Sequence, residues 1–117
     1  MKAKALVIPI NGECYELNLP EDSAHIIIGE HVGGHFDVVR RESVVGYVHD
    51  EGLLIGLALN PKASVLFNQY LVGNCVVVGC FNAKGKFDGD DYDVPSQIVS
   101  MLQTWQLVPI KQETENE

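Results

Sequence analysis

Cys75-Val76-Val77-Val78-Gly79-Cys80-Phe81 is a seven-residue apolar run with no polar alternation. It is too short for a typical helix and rich in β-branched residues, so it reads as a strand covered on both faces. A strand of that kind requires a sheet with layers packed on either side. Gly73-Asn74 turns into it, and a polar Gly- and Asp-rich stretch, Asn82 to Asp93, follows it and reads as a loop. Upstream, Asn60-Pro61 stops an apolar segment and opens a short helix over Lys62 to Tyr70. Downstream, Val94 to Trp105 reads as a helix with Pro95 in its first turn, Asp93 placed to cap it, and Ile98, Leu102 and Trp105 on one face.

The first half supplies more strands. Ala5 to Ile10 and Cys14 to Leu19 flank Asn11-Gly12, a strong hairpin signal, with Pro9 marking an edge or a bulge in the first strand. Pro20-Glu21-Asp22-Ser23 opens a helix that Gly33-Gly34 closes, although the β-branched triplet Ile26-Ile27-Ile28 is a poor helix former. Phe36 to Val39 and Val44 to Val48 are short strands joined by a polar turn, and Leu53 to Leu59 continues as a strand or as an extended arm over the core. The order lacks the regular strand–helix alternation of a doubly wound sheet. The expected fold is therefore α+β, a single small domain over residues 1–110 with a mixed, mostly antiparallel sheet and about three helices packed on it. Residues 111–117 form an acidic tail without an apolar anchor, expected to be flexible.

Sixteen Asp and Glu against eight Lys and Arg give a net charge of −8. The longest basic run is Arg40-Arg41, so general nucleic-acid binding, which depends on clustered cations, is not expected. No apolar run approaches the ~18 residues of a membrane span, and Lys2 and Lys4 lead into a strand and not into the apolar core of a signal peptide. Cys14, Cys75 and Cys80 are an odd number, and strand alternation sends Cys75 and Cys80 to opposite faces, so they read as buried thiols of a cytoplasmic protein.

Candidate chemistry is sparse. Gly29 to Gly34 looks like a phosphate loop, but its glycines end a helix, where the dipole repels phosphate. His31 and His35 have zinc spacing, yet Gly33-Gly34 separates them; no metal or cofactor is expected. Asp88 to Asp93 fails the EF-hand pattern, because Tyr92, Asp93 and Val99 occupy the ligand, glycine and glutamate positions. His49-Asp50-Glu51-Gly52 is the sharpest cluster, with three titratable groups at a strand end, although a plain turn explains it as well. No serine or cysteine sits in a nucleophile elbow, so hydrolysis has no positive support.

Ala5 to Gly12, Val32-Gly33-Gly34-His35-Phe36-Asp37, Asp50-Glu51-Gly52-Leu53, Asn60-Pro61-Lys62-Ala63 and Gly73 to Gly79 together resemble a family of small domains of unknown function, number 3846, found in bacteria and their phages. The resemblance runs from about Ala3 to Phe81, leaves the later segment particular to this chain, and implies a phage or mobile-element setting without a mechanism. The leading expectation is a phage-type accessory protein, of the host-takeover or counter-defence kind, that binds a protein partner through an acidic surface formed by Asp88, Asp90 and Asp91. The alternative is a small-molecule or nucleotide site, with or without catalysis, bordered by His35, His49, Asp50, Glu51 and Asn60. Self-association through an edge strand near Pro9 stays open.

Overall fold

The computed structural model describes residues 2–81 and 87–104. The element order is β1 (Lys2–Ile8), β2 (Tyr15–Pro20), α1 (Ala24–Val32), β3 (Phe36–Arg41), β4 (Val44–His49), α2 (Pro61–Phe67), β5 (Cys75–Phe81), β6 (Phe87–Tyr92) and α3 (Ser96–Thr104). The six strands form one sheet in the order β2-β1-β5-β4-β3, with β6 also on β5, and every pairing is antiparallel. The fold is α+β. Residues 111–117, read as a tail, lie outside the described residues, as does Trp105.

The apolar run Cys75–Phe81 is the central strand, as its composition demands. Cys75 and Val77 pack into a core with Leu6, Ile8, Val48, Phe67 and Leu102, beneath α2 and α3. Val76, Val78 and Cys80 pack with Ala5, Val7 and Val45 on the opposite face, beneath Ile28 and Val32 of α1. The sheet is thus a middle layer with α1 on one side and α2 and α3 on the other. Cys75 and Cys80 do face opposite ways, and all three cysteines are free and buried.

Burial pushes the Cys75 thiol up from 9.0 to about 12, with a backbone hydrogen bond from Tyr47 opposing it and Cys14 adding to it. A pKa higher in the folded than in the unfolded chain stabilises the fold below pH 9 and loses that contribution as pH rises from 9 through 12. Between pH 8 and 10 the wild-type urea midpoint should fall more steeply than that of Cys75→Val, and native Cys75 should resist alkylation throughout. Equal slopes would show that the thiol carries no such linkage.

Several local expectations give way to tertiary context. The first strand is internal, lying between β2 and β5, and it ends at Ile8, so Pro9 falls beyond the ladder and marks neither an edge nor a bulge. Leu53 to Gly56 forms turns after β4, and Leu59 makes an isolated antiparallel bridge to Val72, outside the strands of the sheet. The polar stretch after Phe81 contains β6, which pairs with the far end of β5 through Gly79–Tyr92 and Phe81–Phe87. Helix α2 stops at Phe67, where Asn68 takes a left-handed conformation, and does not reach Tyr70. Asp93 does not cap α3: its Oδ1 accepts from the Lys4 amide at 2.7 Å, while the Val94 amide donates to the Lys4 carbonyl at 2.9 Å, tying the end of β6 to β1.

The first helix forms despite its isoleucine triplet because Ile28 is buried against the sheet and Ile27 packs beside it, leaving only Ile26 well exposed. Packing outweighs a propensity penalty of a few tenths of a kcal/mol per residue, on the order of 0.5. Gly33 closes the helix at φ 94°, with its amide and that of Gly34 both donating to the Gly29 carbonyl.

Candidate functional site

The turn after β4 begins where Asp50 donates its amide to the His35 carbonyl at 3.0 Å, extending the β3–β4 ladder by one pair. The Gly52 amide returns to the His49 carbonyl at 3.3 Å and the Leu57 amide to the Gly52 carbonyl at 2.9 Å, so residues 49–57 fold back on themselves. Gly52 is held tightly: a Cβ there would come within 2.8 Å of Val72 Cγ2.

His49 is occupied by this turn. Its Nδ1 accepts the Glu51 amide at 3.0 Å, which fixes that nitrogen as the acceptor, and the Asp50 carboxylate lies 3.7 Å from the same atom. The ring lies against the backbone that closes α1, since a Cβ on Gly34 would stand 2.9 Å from His49 Nε2. The glycine pair therefore ends a helix and also makes room for an imidazole brought from 15 residues downstream.

Of the five residues considered for a ligand site, the structure gathers three. His49, Asp50 and Glu51 line one cleft of about 450 Å³, together with Asp37, Leu53, Leu54 and Tyr70. His35 is exposed and meets the cluster only through its backbone carbonyl. Asn60 is wholly buried: its Nδ2 donates to the Ile8 and Gly73 carbonyls at 2.8 and 2.9 Å, and its Oδ1 accepts from Ala63 at 3.1 Å. With every polar atom of its side chain bonded internally, Asn60 is a helix cap and a core tie, not a ligand group.

Of the acidic trio, only the Asp91 side chain is described. Asp91 accepts the Tyr47 hydroxyl at 2.6 Å, and burial, that bond and the Asp91 charge together hold the Tyr47 pKa well above its ordinary value, against the lowering effect of Arg40. Asp91 is thereby committed to the fold, and the side chains of Asp88 and Asp90 lie outside the described ones. His31 donates to or accepts from no histidine partner; its Nδ1 sits 2.9 Å from the Ile27 carbonyl of its own helix. Among the described residues no group of three or more His, Cys, Asp or Glu side chains is arranged to hold a metal ion.

Sequence reading missed Asp37, Leu53, Leu54 and Tyr70. Leu53, Leu54 and Tyr70 are 69%, 80% and 68% exposed, and they stand beside three carboxylates in a cleft whose lining, among the described residues, contains no lysine or arginine. A second cleft, of about 570 Å³, lies between the β3–β4 turn, α2 and α3 and is almost wholly apolar. Arg41, the one cation among the described lining residues, donates to the Leu66 carbonyl at 3.2 Å at the end of α2. No helix among the described residues is long and apolar enough to cross a membrane.

Neither a curated protein nor a solved structure matches this chain. A family model does, over residues 1–103, and the match runs through β6 and nearly all of α3, so the segment after Phe81 is shared with the family and not particular to this chain. With 103 of its 117 residues matched, the chain belongs to the family described as Domain of unknown function (DUF3846).

Proposed function

We propose that the protein is a binding module that engages a partner protein through the cleft at the end of the β3–β4 hairpin. The observation that carries this reading is the pairing of strongly exposed Leu53, Leu54 and Tyr70 with the carboxylates of Asp37, Asp50 and Glu51 around one cleft. Isolated exposed leucines are ordinary, whereas contiguous apolar groups rimmed by charge mark interaction surfaces. The sign of the rim selects the partner: a segment carrying Lys or Arg beside apolar side chains. Asp91, one of the three residues expected to form an acidic surface with Asp88 and Asp90, is already held by Tyr47. The family resemblance adds a phage or mobile-element setting in which that partner is a host or phage protein. Three buried free thiols suit the reducing cytoplasm.

A synthetic peptide of alternating Lys and Leu tests the reading, with a Glu/Leu peptide of the same pattern as control. Backbone amide shifts should cluster in residues 37–39, 48–54 and 70–72 with the first peptide and be absent with the second. Replacing Asp50 and Glu51 together by Asn and Gln should weaken binding about tenfold, an exposed charge pair being worth up to ~1 kcal/mol. Equal affinity for both peptides, or shifts elsewhere in the molecule, would overturn it.

A further inference from the structure

We infer that the partner joins the sheet as an added strand along the outer side of β3, its alternate side chains falling over the acidic cleft. The inference rests on the binding reading above and adds its geometry. Strand β3 ends the path β2-β1-β5-β4-β3, and no described strand lies on its outer side. In an antiparallel pair, successive residues turn their backbone groups alternately toward and away from the partner strand. The His35 carbonyl accepts from Asp50, and the register pairs Asp37 with Val48 and Val39 with Gly46. Residues 35, 37 and 39 therefore bond inward to β4, and Phe36, Val38 and Arg40 direct their amides and carbonyls outward.

Side-chain alternation puts a second feature on the same strand. Val39 packs toward α2 and Phe36 toward α1, so Asp37 shares the α2 side with Val39, where the cleft lies. A neighbouring strand runs ~4.8 Å away with same-side residues spaced ~7 Å apart. A segment lying there presents every second side chain to Asp37, Asp50 and Glu51 on one side of the sheet. Main-chain bonds then give affinity, the cleft selects cationic side chains at every second position, and the apolar side chains between them fall on the opposite side of the sheet beside Val38, the mode of strand-addition recognition. Val38, 52% exposed at the middle of this edge, is covered by the added strand. The occupant is thus an extended segment of a basic partner, chosen over a second copy because this chain carries −8 and the cleft is acidic.

The test uses the Lys/Leu peptide in three forms: unmodified, N-methylated at the leucine amides, and N-methylated at the lysine amides. Strand addition requires only one set of amides to face β3, so one methylated peptide should lose at least tenfold in affinity and the other should stay within about threefold of the parent. On the protein, Val38→Pro deletes an outward N–H without touching the β4 ladder and should cost at least tenfold, whereas Val38→Thr keeps the amide and should bind nearly as wild type. The peptide arm uses the unaltered protein, so it decides the matter even if the proline variant does not fold. Parent-like binding by both methylated peptides overturns strand addition while leaving the cleft reading intact. No binding by any peptide overturns both. A dimer in sedimentation that Val38→Pro dissociates, with no peptide binding, assigns the edge to a second copy and overturns the inference.

Discussion

Asn60→Ala should lose about 4 kcal/mol of folding stability. The figure has two sources. The Asn60 Oδ1 accepts from the Ala63 amide and caps α2, and loss of such a cap costs ~1 kcal/mol. Its amide group also satisfies the Ile8 and Gly73 carbonyls in a site closed to water, and each buried acceptor left unpaired costs ~1–3 kcal/mol. Against a typical total of ~5–15 kcal/mol, the variant approaches the folding threshold. Asn60→Asp should be at least as damaging at neutral pH, because a carboxylate keeps the cap but turns an acceptor toward two carbonyl oxygens without a donor. Its deficit should shrink in acid as the carboxyl gains a proton to donate. Urea denaturation of the three chains measures all of this, and an Asn60→Ala loss under 1 kcal/mol would show that the two carbonyls find other partners.

Asn60 also marks where sequence reasoning stops. Asn60-Pro61 reads correctly as the start of a helix, since proline suits the first turn and asparagine caps it. Nothing local reveals that its amide reaches Ile8, 52 positions away, so the same residue also fitted a ligand site. The central strand and the opposite facing of its two cysteines follow from composition and alternation alone. Strand β6 does not, because Phe87 to Tyr92 reads as a loop from its glycine and aspartates, and its pairing with the far half of β5 is set by tertiary context. The run Leu53-Leu54-Ile55 misleads in the other direction. Apolar content predicts burial, yet these three are 55–80% exposed, and a surface patch produces the same local signal as a core strand.

The cleft shows the same division. His49, Asp50 and Glu51 stand out in the sequence because adjacent titratable residues are conspicuous, and the turn does bring them together. Asp37 arrives through the β3–β4 register and Tyr70 through the chain after α2, so neither shares a sequence window with them. His49, the residue most suggestive of catalysis, is already bonded to the Glu51 amide and packed on Gly34. The turn's carboxylates and leucines are the groups left facing the cleft.

Gly46→Val should destabilise the protein by about 3 kcal/mol, although valine is the better strand former. Gly46 is buried in β4 between Val39 of β3 and Val77 of β5, on the side facing α2. A Cβ at this position would stand 2.7 and 2.8 Å from two carbons of the Phe67 ring and 3.0 Å from Val39 Cγ2. Phe67 is 2% exposed and is the last residue of α2, so the ring fills the notch that the missing side chain leaves. Intrinsic strand preference favours valine by at most ~1 kcal/mol, whereas forcing extra methyls into a filled core costs ~1–3 kcal/mol or more. Packing therefore sets the sign. Phe67→Leu removes the ring atoms that collide, so the double variant Gly46→Val/Phe67→Leu should be more stable than the two separate losses predict, with a coupling of at least ~1 kcal/mol. The contact with Val39 keeps the rescue partial. Denaturant midpoints of the four chains close the cycle, and strict additivity would mean that the ring of Phe67 does not rest on Gly46.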